Sequence, residues 1–156
     1  MVEGNFETMG PEESKVLNAL NDAILIHDEE ENFIFVNERA SKLTGYSVKT
    51  LLDMKVSDLL TPEEYNRISE RISLRFEGHR VPAHHETVIN KKSGKTAPID
   101  VTATLIEWKG EAADLVVIRD ISERKKREKR LKELSIITEK TTDAIIKTDT
   151  NFRITY

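Results

Sequence analysis

Two rhythms of apolar positions run along the first three quarters of the chain, and the changes of rhythm mark the elements. Val16, Leu17 and Leu20 recur at helical spacing behind Pro11, Glu12 and Glu13. Those three residues suit the first turn and the positive end of a helix dipole. Ala23 to His27 and Phe33 to Val36 are short apolar runs separated by the polar Asp28-Glu29-Glu30-Glu31-Asn32, a hairpin pattern. Asn37 suits the cap of a helix that turns Ala40 and Leu43 inward, and Gly45 suits the left-handed residue that ends it. Residues 48–60 predict short helical turns with Leu51, Leu52, Met54, Val56, Leu59 and Leu60 in the core. In Thr61-Pro62-Glu63-Glu64, Thr61 can cap, Pro62 fits the first helical position and Glu64 can close a capping box. Tyr65, Ile68 and Ile72 then line one helix face, and Gly78 ends the pattern.

Strand rhythm follows. His85 to Asn90 is one run, with Lys91-Lys92-Ser93-Gly94 as its turn. Ala97 to Trp108 alternates, with Ile99, Val101, Ala103 and Leu105 on one face and Asp100, Thr102 and Thr104 on the other. After Lys109-Gly110, Leu115 to Ile118 is apolar on both faces, as a central strand should be. Its neighbours must cover both sides, and the Val16/Leu17/Leu20 helix can cover one. Two strands, several helices, three strands and an exit helix describe an α+β domain.

Composition narrows the class. Hydrophobic residues make up 38% and charged residues 33%, which suits a charge-rich globular domain. No apolar run approaches a membrane span, and Met1 to Gly10 lacks the basic-then-apolar order of a signal peptide, so a cytoplasmic location is expected. Cysteine is absent, which removes disulfides and thiolate chemistry. Residues 1–122 carry 14 Lys/Arg against 22 Asp/Glu, a balance of −8, and residues 123–156 carry 10 against 6, a balance of +4. Nucleic-acid contact by the first domain is therefore not expected. Glu123 to Arg130 is basic without aromatic interleaving, the pattern of a solvated helix surface. Leu131, Leu134, Thr138 and Thr141 form a weak coiled-coil seam that could align protomers held together elsewhere.

Shifting the chain by 121 residues places Asp22-Ala23-Ile24-Leu25 on Asp143-Ala144-Ile145-Ile146, Asp28 on Asp149, Phe33 on Ile154 and Phe35 on Tyr156. The expected organisation is a leader over residues 1–10, a folded domain over 11–122, a charged helical linker over 123–141 and the start of a second, truncated repeat over 142–156. Two strands cannot build a sheet alone, so residues 143–156 are expected to fray or pack opportunistically.

Several pieces, in order, resemble the PAS domain family over about residues 12–126. They are Asp22-Ala23-Ile24, Phe35-Val36-Asn37-Glu38-Arg39-Ala40, Leu43-Thr44-Gly45-Tyr46-Ser47, Lys92-Ser93-Gly94-Lys95 and Arg119-Asp120-Ile121-Ser122-Glu123-Arg124-Lys125. The resemblance implies a five-stranded antiparallel sheet of order 2-1-5-4-3, with helices over one face enclosing a cavity. It implies tandem copies upstream of an output domain, most often a two-component histidine kinase working through a phosphorelay. Members often carry glycine at the first hairpin turn, where this chain has Glu30-Glu31-Asn32.

Candidate residues follow from both readings. Asp120, Ile121, Ser122 and Arg124 join the last strand to the exit helix, and Asp120 and Arg124 are spaced to pair across that joint. Ser122 can cap the helix. The resemblance makes this Asp a signalling contact. Val16, Leu20, Ile106 and Trp108 are candidates for helix packing or a homodimer contact. Trp108 shares a strand face with Thr104 and Ile106, opposite the expected cavity. The family's flavin photoreceptors use a reactive cysteine, so covalent flavin chemistry is excluded here. Its haem-binding branch places an axial histidine on the long helix. Residues 61–77 hold none and His79 lies just beyond, which argues against haem. His84 and His85 are adjacent on a strand, so they face opposite ways and do not share a metal ion. No catalytic constellation stands out, and any enzymatic activity would belong to a kinase in a longer parent. The ligand, if there is one, is a small molecule in the helix–sheet cavity. The alternative is a ligand-free interaction module of a signalling or transcription-regulating protein.

Overall fold

The computed structural model describes residues 8–9 and 11–151. They form β1 (Thr8–Met9), α1 (Pro11–Ala19), β2 (Ala23–His27), β3 (Phe33–Val36), α2 (Glu38–Thr44), α3 (Val48–Leu52), a 3-10 turn (Val56–Leu59), α4 (Pro62–Phe76), β4 (His84–Asn90), β5 (Thr96–Trp108), β6 (Glu111–Asp120) and α5 (Ser122–Asn151). The chain divides into two units, one ending at Ile121 and one beginning at Ser122.

In the first unit, the five main strands lie in the order β3-β2-β6-β5-β4, all antiparallel. Counted without β1, this is the order 2-1-5-4-3. β6 is central and longer than its apolar Leu115–Ile118 centre, because its partner β5 runs from Thr96 to Trp108. β4 pairs with the first part of β5, and Thr8–Met9 pairs in parallel with Glu107–Trp108 beyond it. The leader is thus partly used to cover a strand edge that would otherwise be open. Its remaining residues, 1–7 and 10, lie outside the described residues.

Both sheet faces are covered. On one, Leu25, Ile89, Ile99 and Ile118 pack with Ala40, Leu51, Leu59 and Ile68 from the helical segment. On the other, Ile24, Ile26, Ile106, Trp108 and Ala113 pack with Leu17 of α1. β5 serves both layers. Its buried positions are Ala97, Ile99, Val101 and Ala103, then Ile106 and Trp108. The sequence alternation carried Leu105 with the first set, but it is only half-buried, because the helical cover ends and α1 takes over on the opposite face.

Asn37 ties these layers together. It is fully buried, and its Oδ1 accepts from the N–H groups of Ile24 and Ala40, both at 3.0 Å. Its Nδ2 donates to the carbonyls of Leu17 at 3.1 Å and Asp22 at 3.0 Å. The expected cap on α2 is therefore also the joint between α1, β2 and α2. Gly45 ends α2 at φ 83°. At the first hairpin, Glu31 takes φ 66°, the left-handed conformation that glycine would adopt without cost. Thr61 caps α4 by accepting from the Glu64 N–H at 3.3 Å. The Glu64 carboxylate does not turn back to close a capping box. It accepts from Thr87 and pairs with Arg67.

In the second unit, α5 runs unbroken to Asn151. Asp143 to Asp149, which repeat a strand and its turn in sequence and are expected to fray or pack opportunistically, are helical here. A helix satisfies its backbone locally, whereas a lone hairpin has no sheet to join. The repeat positions Ile154 and Tyr156 lie outside the described residues, and the seam residues Thr138 and Thr141 fall outside the described side chains.

Candidate functional site

Strand pleating decides what meets inside the first unit. His27 on β2, His85 and Thr87 on β4, and Asp114, Val116 and Ile118 on β6 all point to the face covered by α4. α4 turns Ile68, Arg71, Ile72 and Arg75 toward them. Together they line a cavity of about 70 Å³. One end is apolar, walled by Leu25, Phe33, Leu59, Ile89 and Ile99. The other end is polar.

That polar end centres on Asp114, a fully buried carboxylate. Its Oδ2 accepts from Arg75, itself buried, and lies 3.5 Å from His27 Nε2. The His27 ring is held from behind, because Nδ1 donates to the Asp28 carbonyl at 2.9 Å. Opposite Asp114 on the strand ladder sits His27, so the pair follows directly from register. A buried carboxylate survives only when paired and hydrogen-bonded. Arg75 supplies the charge, yet Asp114 Oδ1 has no hydrogen-bond partner. His85 is in the same position, with both ring nitrogens buried and unpartnered. Burial pushes the His85 ring below its ordinary pKa, and the positive charges of Arg71, Arg75 and Arg67, with His84, push it further. His85 is thus held neutral, with one N–H to give and one lone pair to accept. Thr87 is occupied with Glu64.

The adjacent histidines separate as their spacing requires. His84 points outward to pair with Asp100, and His85 points into the cavity. Sequence reasoning weighed them only as a pair and missed His85 alone. The signal was present, since His85, Thr87 and Ile89 share one face of β4. His27, Asp114, Arg71 and Arg75 were also missed as a group, because they lie on three elements far apart in sequence.

Trp108 and Ile106 lie on the opposite face and are buried, with Trp108 against Phe35 at 5.4 Å between ring centroids. They are helix-packing residues, and Leu17 is the α1 residue that reaches them. Val16 and Leu20, expected to share this packing, are 60% and 47% exposed.

At the junction, Asp114, Val116 and Ile118 line the cavity, and Asp120 continues the same face of β6 to its end. Asp120 Oδ2 lies 3.8 Å from Lys91 Nζ. Ile121 is buried and donates its N–H to the Pro98 carbonyl at 3.1 Å. Ser122 opens α5, and Arg124 Nε lies 3.9 Å from Glu128. Nearby, Arg119 grips Asp22 through two nitrogens at 2.8 and 3.2 Å. That hydrogen bonding holds the Asp22 carboxyl below its usual range against a smaller effect of burial, with the Arg119 charge adding to it.

Comparison with known proteins agrees with this architecture. The methyl sulfide methyltransferase-associated sensor of Methanosarcina acetivorans is 29% identical over 115 residues, covering 72% of this chain and 11% of that protein. The chain therefore spans about a tenth of that relative's length. The PAS domain of a Desulfitobacterium hafniense protein superposes with a TM-score of 0.61 at 21% identity, over 68% of this chain and 98% of the other. A domain of a sensory box sensor histidine kinase/response regulator from Geobacter sulfurreducens does so with a TM-score of 0.60 at 18% identity, over 70% and 91%. At such identities these two structures show a shared fold. A family model described as PAS domain matches residues 21–123, about two thirds of the sequence, and with the strand order above it establishes that this chain belongs to the PAS domain family.

Proposed function

We propose that this PAS domain is the sensory part of a longer signalling protein. A small ligand in the cavity biases the sheet, and β6 passes that bias through Asp120, Ile121 and Ser122 to α5 and an output domain, a two-component histidine kinase. The observation that carries this reading is the polar end of the cavity. Asp114 Oδ1 and both His85 ring nitrogens are buried and unpartnered, so a ligand has groups to satisfy. Asp114 and Asp120 sit on one face of one strand, with only Val116 and Ile118 between them on that face. A change at one end of a paired strand is carried along it, and Ile121 leaves little slack before the helix. The shift can be no larger than the ligand's differential affinity for the two states.

In this reading Asp120 and Arg124 form the switch contact, and residues 142–156 begin a second, tandem copy. The test is autophosphorylation of the longer protein with and without stimulus. Asp120→Ala should alter the basal or the stimulated level, and a variant with both levels unchanged ends the junction mechanism.

A second reading, a homodimerising interaction module, is favoured by the exposure of Val16 on α1 and of Leu20 just past its end. Sedimentation should show loss of dimer on Val16→Glu with Leu20→Glu if this surface is used. Trp108 is unsuited to that test, because it is buried under α1 and its replacement would report on folding.

A further inference from the structure

The open groups in the cavity define a chemistry, and this inference rests on the ligand-sensing reading above. Asp114 Oδ1 accepts only, and it is enclosed, so the atom opposite it must donate. Arg71 lines the same cavity and donates only. Arg75 is committed to Asp114 Oδ2. Neutral His85 offers one N–H and one acceptor. Arg75 and Asp114 neutralise each other, which leaves the Arg71 guanidinium to be balanced, and a monoanion does that where a zwitterion does not. A planar guanidinium beside an N–H donor suits a carboxylate.

Size limits the rest. A water occupies roughly 30 Å³ of liquid and a covalently bonded heavy atom roughly half of that, so about 70 Å³ accommodates roughly four or five heavy atoms. From these constraints we infer that the cavity selects a small 2-hydroxy acid, with its carboxylate on Arg71 and His85 and its hydroxyl donating to Asp114 Oδ1. The apolar end tolerates a hydrogen or a methyl group on the hydroxyl-bearing carbon and excludes a second carboxylate.

Calorimetric titration of the 156-residue chain tests this, with glycolate as the probe and acetate and glycine beside it. Five heavy atoms can supply an affinity of about 10 μM to 1 mM, so titration to about 10 mM is decisive. Acetate lacks the donor to Asp114, and glycine lacks the net charge, so each should bind at least about ten-fold more weakly than glycolate. Arg71→Gln should weaken glycolate at least about ten-fold, with its melting temperature unchanged. His85→Phe should weaken it independently. Ala103→Leu, which fills the cavity, should abolish it.

Equal binding of acetate and glycolate overturns the hydroxyl contact and with it the proposal. Preference for glycine, binding that survives Ala103→Leu, or no glycolate binding up to that limit also overturns it. Native mass spectrometry of the protein as purified separates this from the broader reading. A retained compound of another class overturns the hydroxy acid while leaving ligand sensing intact. The sensing reading fails separately, if the response of the longer protein to stimulus is unchanged by Ala103→Leu, which fills the cavity.

Discussion

Asp114 is the residue on which the cavity's stability and chemistry both depend. With Arg75 it forms an ion pair in which the two side chains are 1% and 9% exposed. Desolvating two charges cancels much of their attraction, so the intact pair contributes little net stability. Removing one partner is different, because it strands the other. Arg75→Met should lower unfolding stability by about 3–5 kcal/mol, and Arg75→Met with Asp114→Leu should recover most of it. Urea denaturation of both variants checks this, and equal losses would contradict the account. His85 makes a pH prediction. Its folded pKa lies below the ordinary histidine value of about 6.5, through burial first and the arginines of α4 second. As pH falls through about 6.5, the unfolded chain takes up a proton that the folded chain refuses. The unfolded state then binds more protons, so stability is full above that value and is lost as pH falls toward the folded pKa. The urea midpoint should therefore fall more steeply between about pH 7.5 and 5.5 in the wild type than in His85→Phe. Parallel slopes would show that His85 is not held neutral.

At the scale of elements, what could be read from sequence was whatever depends on neighbours within a few residues. Asn37 and Thr61 as caps, Gly45 as a stop, and the apolar faces of α4 and β5 were all visible in local spacing. The polar cavity was not, because His27 and Asp114 meet by strand register and Arg75 reaches Asp114 across 39 residues. The extent of α5 was not, because its repeat-like sequence carries strand signals that need partner strands to act. The phase of β5 was half visible. Alternation showed a buried face, but the exchange at Leu105 depends on which helix covers which half. Docking of α1 is the testable consequence. Trp108→Ala removes a large buried ring and should cost about 3–5 kcal/mol, with Leu17→Ala costing about 2–4. Val16→Ala and Leu20→Ala, on the exposed face, should stay within about 0.5 kcal/mol. Denaturation midpoints of the four variants would show whether α1 is held by Leu17 alone or by its whole apolar stripe.

For the whole molecule, the division at Ile121 separates two kinds of stability. The first unit has a closed core on both sheet faces, an edge partly covered by Thr8–Met9, and Ile121 as its last buried side chain. The described part of α5 has no such core. Leu131, Leu134 and Ile136 are 67%, 53% and 51% exposed, and Lys126 pairs with Glu123 at 3.1 Å within the helix. Such pairs contribute only a few tenths of a kcal/mol each, and an isolated helix is marginal in water. A chain ending at Ile121 should therefore melt at nearly the same temperature as the 156-residue chain. A peptide of residues 122–151 should be only partly helical when dilute. If α5 aligns two protomers through Leu131 and Leu134, its helicity should rise with concentration, and Leu131→Glu should remove that rise without lowering helicity in dilute solution. Circular dichroism across a dilution series separates the outcomes. Concentration-independent helicity would mean that α5 gains its order from some other neighbour. A falling melting temperature on truncation would mean that the first unit depends on the helix it is proposed to drive.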